Sequence, residues 1–170
     1  GVSANQIKRT IGVSYKTAWY LCHRIRHAMM EVQPEPLDGT VEVDETYVGG
    51  KVRGRGRAYK GNKTAVAGAV ERGGDIRLKV IPDNTRHTLH AFIREYVSPE
   101  VERIITDEWR AYRGIADHDT AHETVNHSME EWVRGDVHTN TVEGVWSLFK
   151  RAVIGTYHNL SGKHLDAYLD

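Results

Sequence analysis

Apolar and polar positions along this chain follow two periods, and the changes of period mark the elements. Residues 3–30 carry apolar positions at helical spacing in two runs. Ser3 with Gln6 makes a capping-box pattern ahead of Ile7 and Ile11, Gly12-Val13 breaks the run, and Ser14 is placed to cap a second helix. That helix lines up Ala18, Leu21, Cys22, Ile25 and Met29 on one side, which makes Cys22 a small core residue. Pro34 and Pro36 then mark a linker. From Thr40 the period falls to two. Thr40–Asp44 alternates and runs on to Tyr47-Val48-Gly49-Gly50, and Thr64–Glu71 and Asp75–Pro82 form an expected antiparallel pair around Arg72-Gly73-Gly74. A helix is expected over 85–97, with Leu89, Phe92, Ile93 and Val97 apolar. Arg103–Asp107 reads as a short strand, Trp109–Tyr112 as a short helix and 120–126 as a fifth strand.

The stretch from His138 to Arg151 is the most informative. Wound as a helix, it puts Val142, Trp146, Phe149 and Val153 on one stripe, and Asn140, Glu143, Ser147 and Lys150 on another. Burying the first stripe presents a carboxylate and, two turns on, a lysine from the same side. A last helix starts at His164–Leu169. Three antiparallel strands, then helix, strand, helix, strand and helix is the order of a ribonuclease-H-like α/β fold, with a mixed five-stranded sheet flanked by helices. The expected organisation is a partial helix-turn-helix segment over 1–33, a linker over 34–39 and a catalytic domain over 40–170. An αα-hairpin with no DNA role gives the same pattern as the helix-turn-helix outline.

Charge changes this picture through its distribution. With 23 basic and 23 acidic residues the formal net charge is zero, so the total points to no partner. Yet residues 1–30 hold Lys8, Arg9, Lys16, Arg24 and Arg26 with no acid, and residues 51–63 hold Lys51, Arg53, Arg55, Arg57, Lys60 and Lys63 with none. Such clusters can neutralise phosphates within a neutral chain, or can simply be solvated faces. Cys22 is the one cysteine, which excludes a disulfide framework and a cysteine zinc site and fits a reduced, cytoplasmic setting. No apolar run approaches the length of a membrane span and no signal-peptide pattern is present, so membrane insertion is not expected. A first residue that is Gly, and an end inside an amphipathic segment, lead us to expect a piece of a longer chain.

Two-metal phosphoryl chemistry needs carboxylates from separate elements converging on ions roughly 3.5–4 Å apart, and hard Mg²⁺ prefers oxygen ligands. Asp44 sits in the first strand, with Val43 and Glu45 on the opposite face. Asp107 ends a strand, at the edge where open α/β sheets bind ligands. Glu143, separated from Asp107 by 35 residues, lies on the polar stripe, and Lys150 can hold a phosphate. Each has another use. Asp44 can be an exposed strand acid, and Asp107 can cap the helix after it. Glu143 can fold back on the backbone N–H of Asn140 as the return arm of a capping box.

The segments Val41–Lys51, Thr106–Tyr112 and His138–Arg151, with Gly155–His158 and Lys163–Leu165 behind them, resemble the DDE transposases of ISXO-type bacterial insertion sequences. The resemblance implies cut-and-join DNA transposition with two divalent ions, Mg²⁺ or Mn²⁺. It makes Asp44, Asp107 and Glu143 the acidic triad and metal ligands, and Lys150 the associated basic residue. Some relatives carry Asn at the third acidic place, which keeps Asn140 in play as a ligand or orienting group. The expected partner is double-stranded DNA, both element ends and target, on a homo-oligomer. Lys16, Thr17 and Arg24, the 51–63 cluster and Arg151 are the expected DNA contacts, and the nucleoid the expected place of work. His122, His127 and His138 are expected to hydrogen-bond, and Trp109 and Trp146 to pack rather than stack on bases, while Trp132 is left undecided. Two other classes stay open: another ribonuclease-H-like nuclease such as a junction resolvase, and a non-catalytic DNA-binding relic.

Overall fold

The computed structural model describes residues 2–30, 34–49, 61, 63–115, 120–125, 135–157 and 162–169. The chain packs as two compact units, residues 35–146 and residues 1–34 with 147–170.

The larger unit is built on a five-stranded sheet in the order β3-β2-β1-β4-β5. Its strands are β1 (Thr40–Val48), β2 (Thr64–Glu71), β3 (Ile76–Ile81), β4 (Arg103–Asp107) and β5 (Ala121–Val125). β1 pairs antiparallel with β2 and β2 with β3, whereas β4 runs parallel to both β1 and β5. The expected mixed ribonuclease-H-like sheet is therefore present, with β1 at its centre.

Two-residue alternation divides β1 and β2 between two faces. Val41, Val43, Ala65, Ala67 and Ala69 join the main core with Leu89, Phe92 and Ile93 of helix α3 (Arg86–Tyr96) and with buried Tyr112. Thr85 caps that helix by accepting from the Thr88 amide. The expected short helix over Trp109–Tyr112 is a 3-10 turn at Arg110–Tyr112. The other face receives α4 (Asn140–Ala152), from which Val142 and Trp146 are buried. Both faces of β2 are thus covered, which is why six consecutive positions, Ala65–Val70, are buried there. Gly68 is the narrowest of them. A Cβ at this position would stand 2.7 Å from Cζ2 and Cη2 of Trp146 and 3.0 Å from Cδ2 of Leu78.

In the smaller unit, α1 (Ala4–Ile11) and α2 (Tyr15–Met29) start where expected, with Ser3 accepting from the Gln6 amide and Ser14 from the Thr17 amide. Gly12 ends α1 at φ 69°, the left-handed conformation that the turn requires. Ala18 and Cys22 are buried, Cys22 as expected, whereas Ile25 and Met29 on the same side are 51% and 72% exposed. The elements that pack on α2, chiefly α1, leave the flanks of a narrow stripe uncovered. The expected terminal helix is instead two 3-10 turns, Gly162–His164 and Asp166–Tyr168, around buried Leu165. Among the described residues no helix is long and apolar enough to cross a membrane.

The contact at Gly68 predicts that Gly68→Ala overpacks the sheet–α4 interface and destabilises the protein by about 1–3 kcal/mol. Urea denaturation checks this. An unchanged midpoint would mean that the Trp146 ring can shift without loss.

Candidate active site

The central carboxylates come together through strand register. The parallel β1–β4 ladder pairs Glu42 with Ile105. Two residues further along each strand stand Asp44 and Asp107, on the face that receives α4 and near enough for the Asp107 charge to act on Asp44. Asp44 is half-buried, and its Oδ2 accepts a hydrogen bond from the Trp146 indole N–H at 2.9 Å. Burial raises the Asp44 pKa to about 7, and the negative charges of Glu45 and Asp107 add to the rise. Asp107 accepts from the Trp109 amide at 3.0 Å, two residues along the chain. That bond is a local turn ahead of the helix and not the cap that was the other expected use of Asp107, since the 3-10 helix starts from Trp109 without a side-chain cap.

Glu143 behaves differently. It is exposed on the first turn of α4, and its Oε1 accepts from the Thr139 hydroxyl at 3.1 Å. The side chain thus turns toward the start of its own helix. The partner is the Thr139 hydroxyl because the helix begins one residue earlier than the expected capping box, with Asn140 already inside it. Among the described residues, no group of three His, Cys, Asp or Glu side chains is close enough to hold a metal ion. The Asp44–Asp107 pair still has the character of a cation site. It offers hard oxygen donors, and mutual repulsion with burial leaves it short of positive charge.

The polar stripe of α4 lies as expected, with Asn140, Glu143, Ser147 and Lys150 all exposed. Arg151 is exposed beside Lys150, as are Lys16, Thr17 and Arg24 on α2, where the Arg24 guanidinium lies 5.9 Å from the Tyr20 ring centroid. Lys63 is half-buried, whereas Lys51, Arg53, Arg55, Arg57 and Lys60 lie outside the described residues, as do His127 and Trp132. His122 bonds the Thr106 hydroxyl at 2.9 Å, and His138 meets Arg72 Nη2 at 3.0 Å. Trp146 packs as expected, but Trp109 is 47% exposed and is not a core residue.

Two acids of β1, and the donors that hold them, escape sequence reading. Glu42 is fully buried, and its carboxylate accepts from Arg72 Nε at 2.7 Å, from the Thr141 amide and hydroxyl at 2.8 Å each, and from the Val142 amide at 3.0 Å. On the opposite face Glu45 accepts from the buried Tyr112 hydroxyl at 2.6 Å and from Asn84 Nδ2 at 3.2 Å. Burial and the Glu45 charge hold the Tyr112 phenol well above its ordinary range, so it stays a donor. The available signal was alternation itself: Val41-Glu42-Val43-Asp44 puts two acids on one helix-facing side, where a buried acid needs partners.

Residues 36–170 match the family model of the ISXO2-like transposase domain. An uncharacterized protein in transposable element ISH50 of Halobacterium salinarum is 31% identical over 186 aligned positions, which take in 98% of this chain and 62% of that protein. A chain of the simian T-cell lymphotropic virus intasome, solved in complex with PP2A regulatory subunit B56 gamma, aligns with 99% of this chain and 63% of its own length, at TM-score 0.46 and 15% identity. The chain therefore spans less than two thirds of either protein.

The raised Asp44 pKa has a definite sign. An unfolded Asp ionises near 3.8 and the folded one near 7, so the metal-free protein loses stability as pH climbs through that window. Asp44→Asn keeps an acceptor for Trp146 and removes the buried charge. Its melting temperature is expected to exceed that of the unaltered protein at pH 8, with the gap closing toward pH 4. A gap of constant size across that range would show that Asp44 ionisation carries no such cost.

Proposed function

The chain belongs to the ISXO2-like transposase family, and on that premise we propose that it carries out metal-dependent DNA cleavage and strand transfer at the ends of a mobile element. The observation that carries this reading is the Asp44–Asp107 pair. Two carboxylates near enough to interact, one of them pushed up to about pKa 7, form a site that a divalent cation would neutralise. Asp44 and Asp107 would hold Mg²⁺ or Mn²⁺, with Glu143 as third ligand and Asn140 as its neighbour on the same helix turn. When bound, the two ions supply activation of the attacking oxygen and stabilisation of the leaving oxygen.

The chain's own residues do the rest. Trp146 fixes the Asp44 carboxyl from one side, and the Asp107 bond to the Trp109 amide fixes the other acid. In the first step water attacks a phosphodiester at the element's end, an O–P bond forms, and the P–O3′ bond breaks as the 3′ oxygen takes up a proton. In the second, that 3′-OH attacks a target phosphodiester in line and displaces the target's 3′ oxygen. Lys150 and Arg151, with Lys16, Thr17 and Arg24 and the cluster from Lys51 to Lys63, are assigned to DNA phosphates. Such contacts position the duplex without reading its sequence. Two element ends must be joined in one reaction, which calls for two or more copies on DNA.

A second reading draws on Glu143. Its bond to Thr139, and the lack of a three-ligand cluster among the described residues, suit a chain that binds DNA without cutting it. Cleavage assays on end-labelled duplex decide between the two. The unaltered protein is expected to nick and join DNA with Mg²⁺ and to stop when the metal is chelated. Asp107→Asn is expected to abolish cleavage while leaving DNA affinity nearly unchanged. Cleavage by Asp107→Asn at the unaltered rate would remove Asp107 from the mechanism. Salt-dependent DNA binding by the unaltered protein, without metal-dependent turnover, would establish the second reading, and nicking without joining would point to a nuclease or resolvase.

A further inference from the structure

Helix α4 begins with backbone amides that its own carbonyls cannot satisfy, and two of them are taken by a residue almost a hundred positions away. Glu42 Oε2 accepts from the Thr141 amide at 2.8 Å and from the Val142 amide at 3.0 Å, while Oε1 accepts from the Thr141 hydroxyl at 2.8 Å. A carboxylate at a helix N-terminus gains from the aligned peptide dipoles as well as from the bonds. Arg72 completes the arrangement. Its Nε donates to Glu42 Oε1 at 2.7 Å, Nη1 to the Asp136 carbonyl at 2.7 Å, and Nη2 to the His138 carbonyl at 2.9 Å. Arg103 pins the same approach segment through Asp136 Oδ2 at 2.7 Å.

Apart from the Arg72–Glu42 bond, which ties the two clamp residues to each other, every bond in this set joins the β1–β2 end of the sheet, or β4, to residues 136–142. Glu42 is two residues before Asp44 on one strand, and Val142 is next to Glu143 on the helix. We propose that Glu42 and Arg72 are positioning residues that clamp the N-terminus of α4 to the strand carrying Asp44. In this way they fix the height and rotation at which Glu143 is offered to the Asp44–Asp107 pair. Neither touches a reacting atom; both act through the helix. The proposal deepens the transposase reading and rests on it for its catalytic half. Arg suits the post because its planar fork can donate to a carboxylate and two carbonyls at once, which a lysine ammonium on a single flexible stem does less well.

The test uses the whole chain with Glu42→Gln and, separately, Arg72→Lys. Amide hydrogen exchange is followed over residues 139–146 and over β1 and β2, without metal or DNA. In both variants exchange over 139–146 is expected to quicken about 10-fold while the two strands stay protected, a local opening rather than a global one. On DNA, turnover is expected to fall about 10–100-fold with KM for DNA unchanged, and the Mg²⁺ concentration for half-maximal rate to rise. Unchanged exchange over 139–146 in both variants would overturn the clamp. So would exchange rising equally across helix and strands with undiminished turnover per folded molecule, because that is a plain loss of stability. If the unaltered chain cleaves no DNA, the transposase reading fails, whereas the exchange result still decides whether Glu42 and Arg72 hold the helix.

Discussion

A carboxylate removed from water must find positive charge or several donors, and Glu42 finds both. That requirement ties together parts of the chain that have little else in common: the centre of the sheet, the turn after β2 and the first turn of α4. Removing one partner from such a buried set typically costs about 3–5 kcal/mol, because the charge left behind has no replacement. Side chains packing by area alone would tolerate several positions of α4 over the sheet. Directed bonds to two named amides tolerate one.

β1 illustrates how a single strand can give like residues unlike tasks. Glu42, Asp44 and Glu45 lie within four consecutive positions. Glu42 faces α4 and is wholly consumed by its donors, and Glu45 faces the other layer, where Tyr112 and Asn84 occupy it. Asp44 has only the indole of Trp146 as a described side-chain donor, and its proton affinity is correspondingly high. The difference does not come from the side chains, which are chemically alike. It comes from what the neighbouring layers present: several donors for Glu42 and for Glu45, and a single indole for Asp44.

Local chemistry was legible in the sequence, and distant pairing was not. Period-two alternation located β1, the turn at Arg72-Gly73-Gly74 located β2 and β3, and serines three residues from an amide located the starts of α1 and α2. The polar stripe of α4 is exposed as read, while on its apolar stripe Val142 and Trp146 are buried and Phe149 and Val153 only partly so. The Asp44–Asp107 neighbourhood followed from strand order. By contrast, the partners of Glu42 lie 30, 99 and 100 positions away, and no local pattern encodes such a pairing. The register of the α4 cap was missed by one residue, since Thr139 and Asn140 are both good caps and tertiary bonds choose between them. Ile25 and Met29 share the apolar side of α2 with Cys22 and are nonetheless exposed. Helical spacing shows which side of α2 is apolar, but how wide a strip is covered depends on the elements beside it.

Gly68 lets the Trp146 ring lie close against β2, and the same ring donates its N–H to Asp44. An indole in that position feels the electric field of the carboxyl group directly. Its excited state is sensitive to whether the acid is neutral, ionised or shared with a cation. Trp19 and Trp109 are 47% exposed each, so they emit from a wetter setting at longer wavelength. The fold has therefore placed an optical reporter against one of its own candidate ligands, and the charge state of Asp44 can be followed by light without attaching a dye.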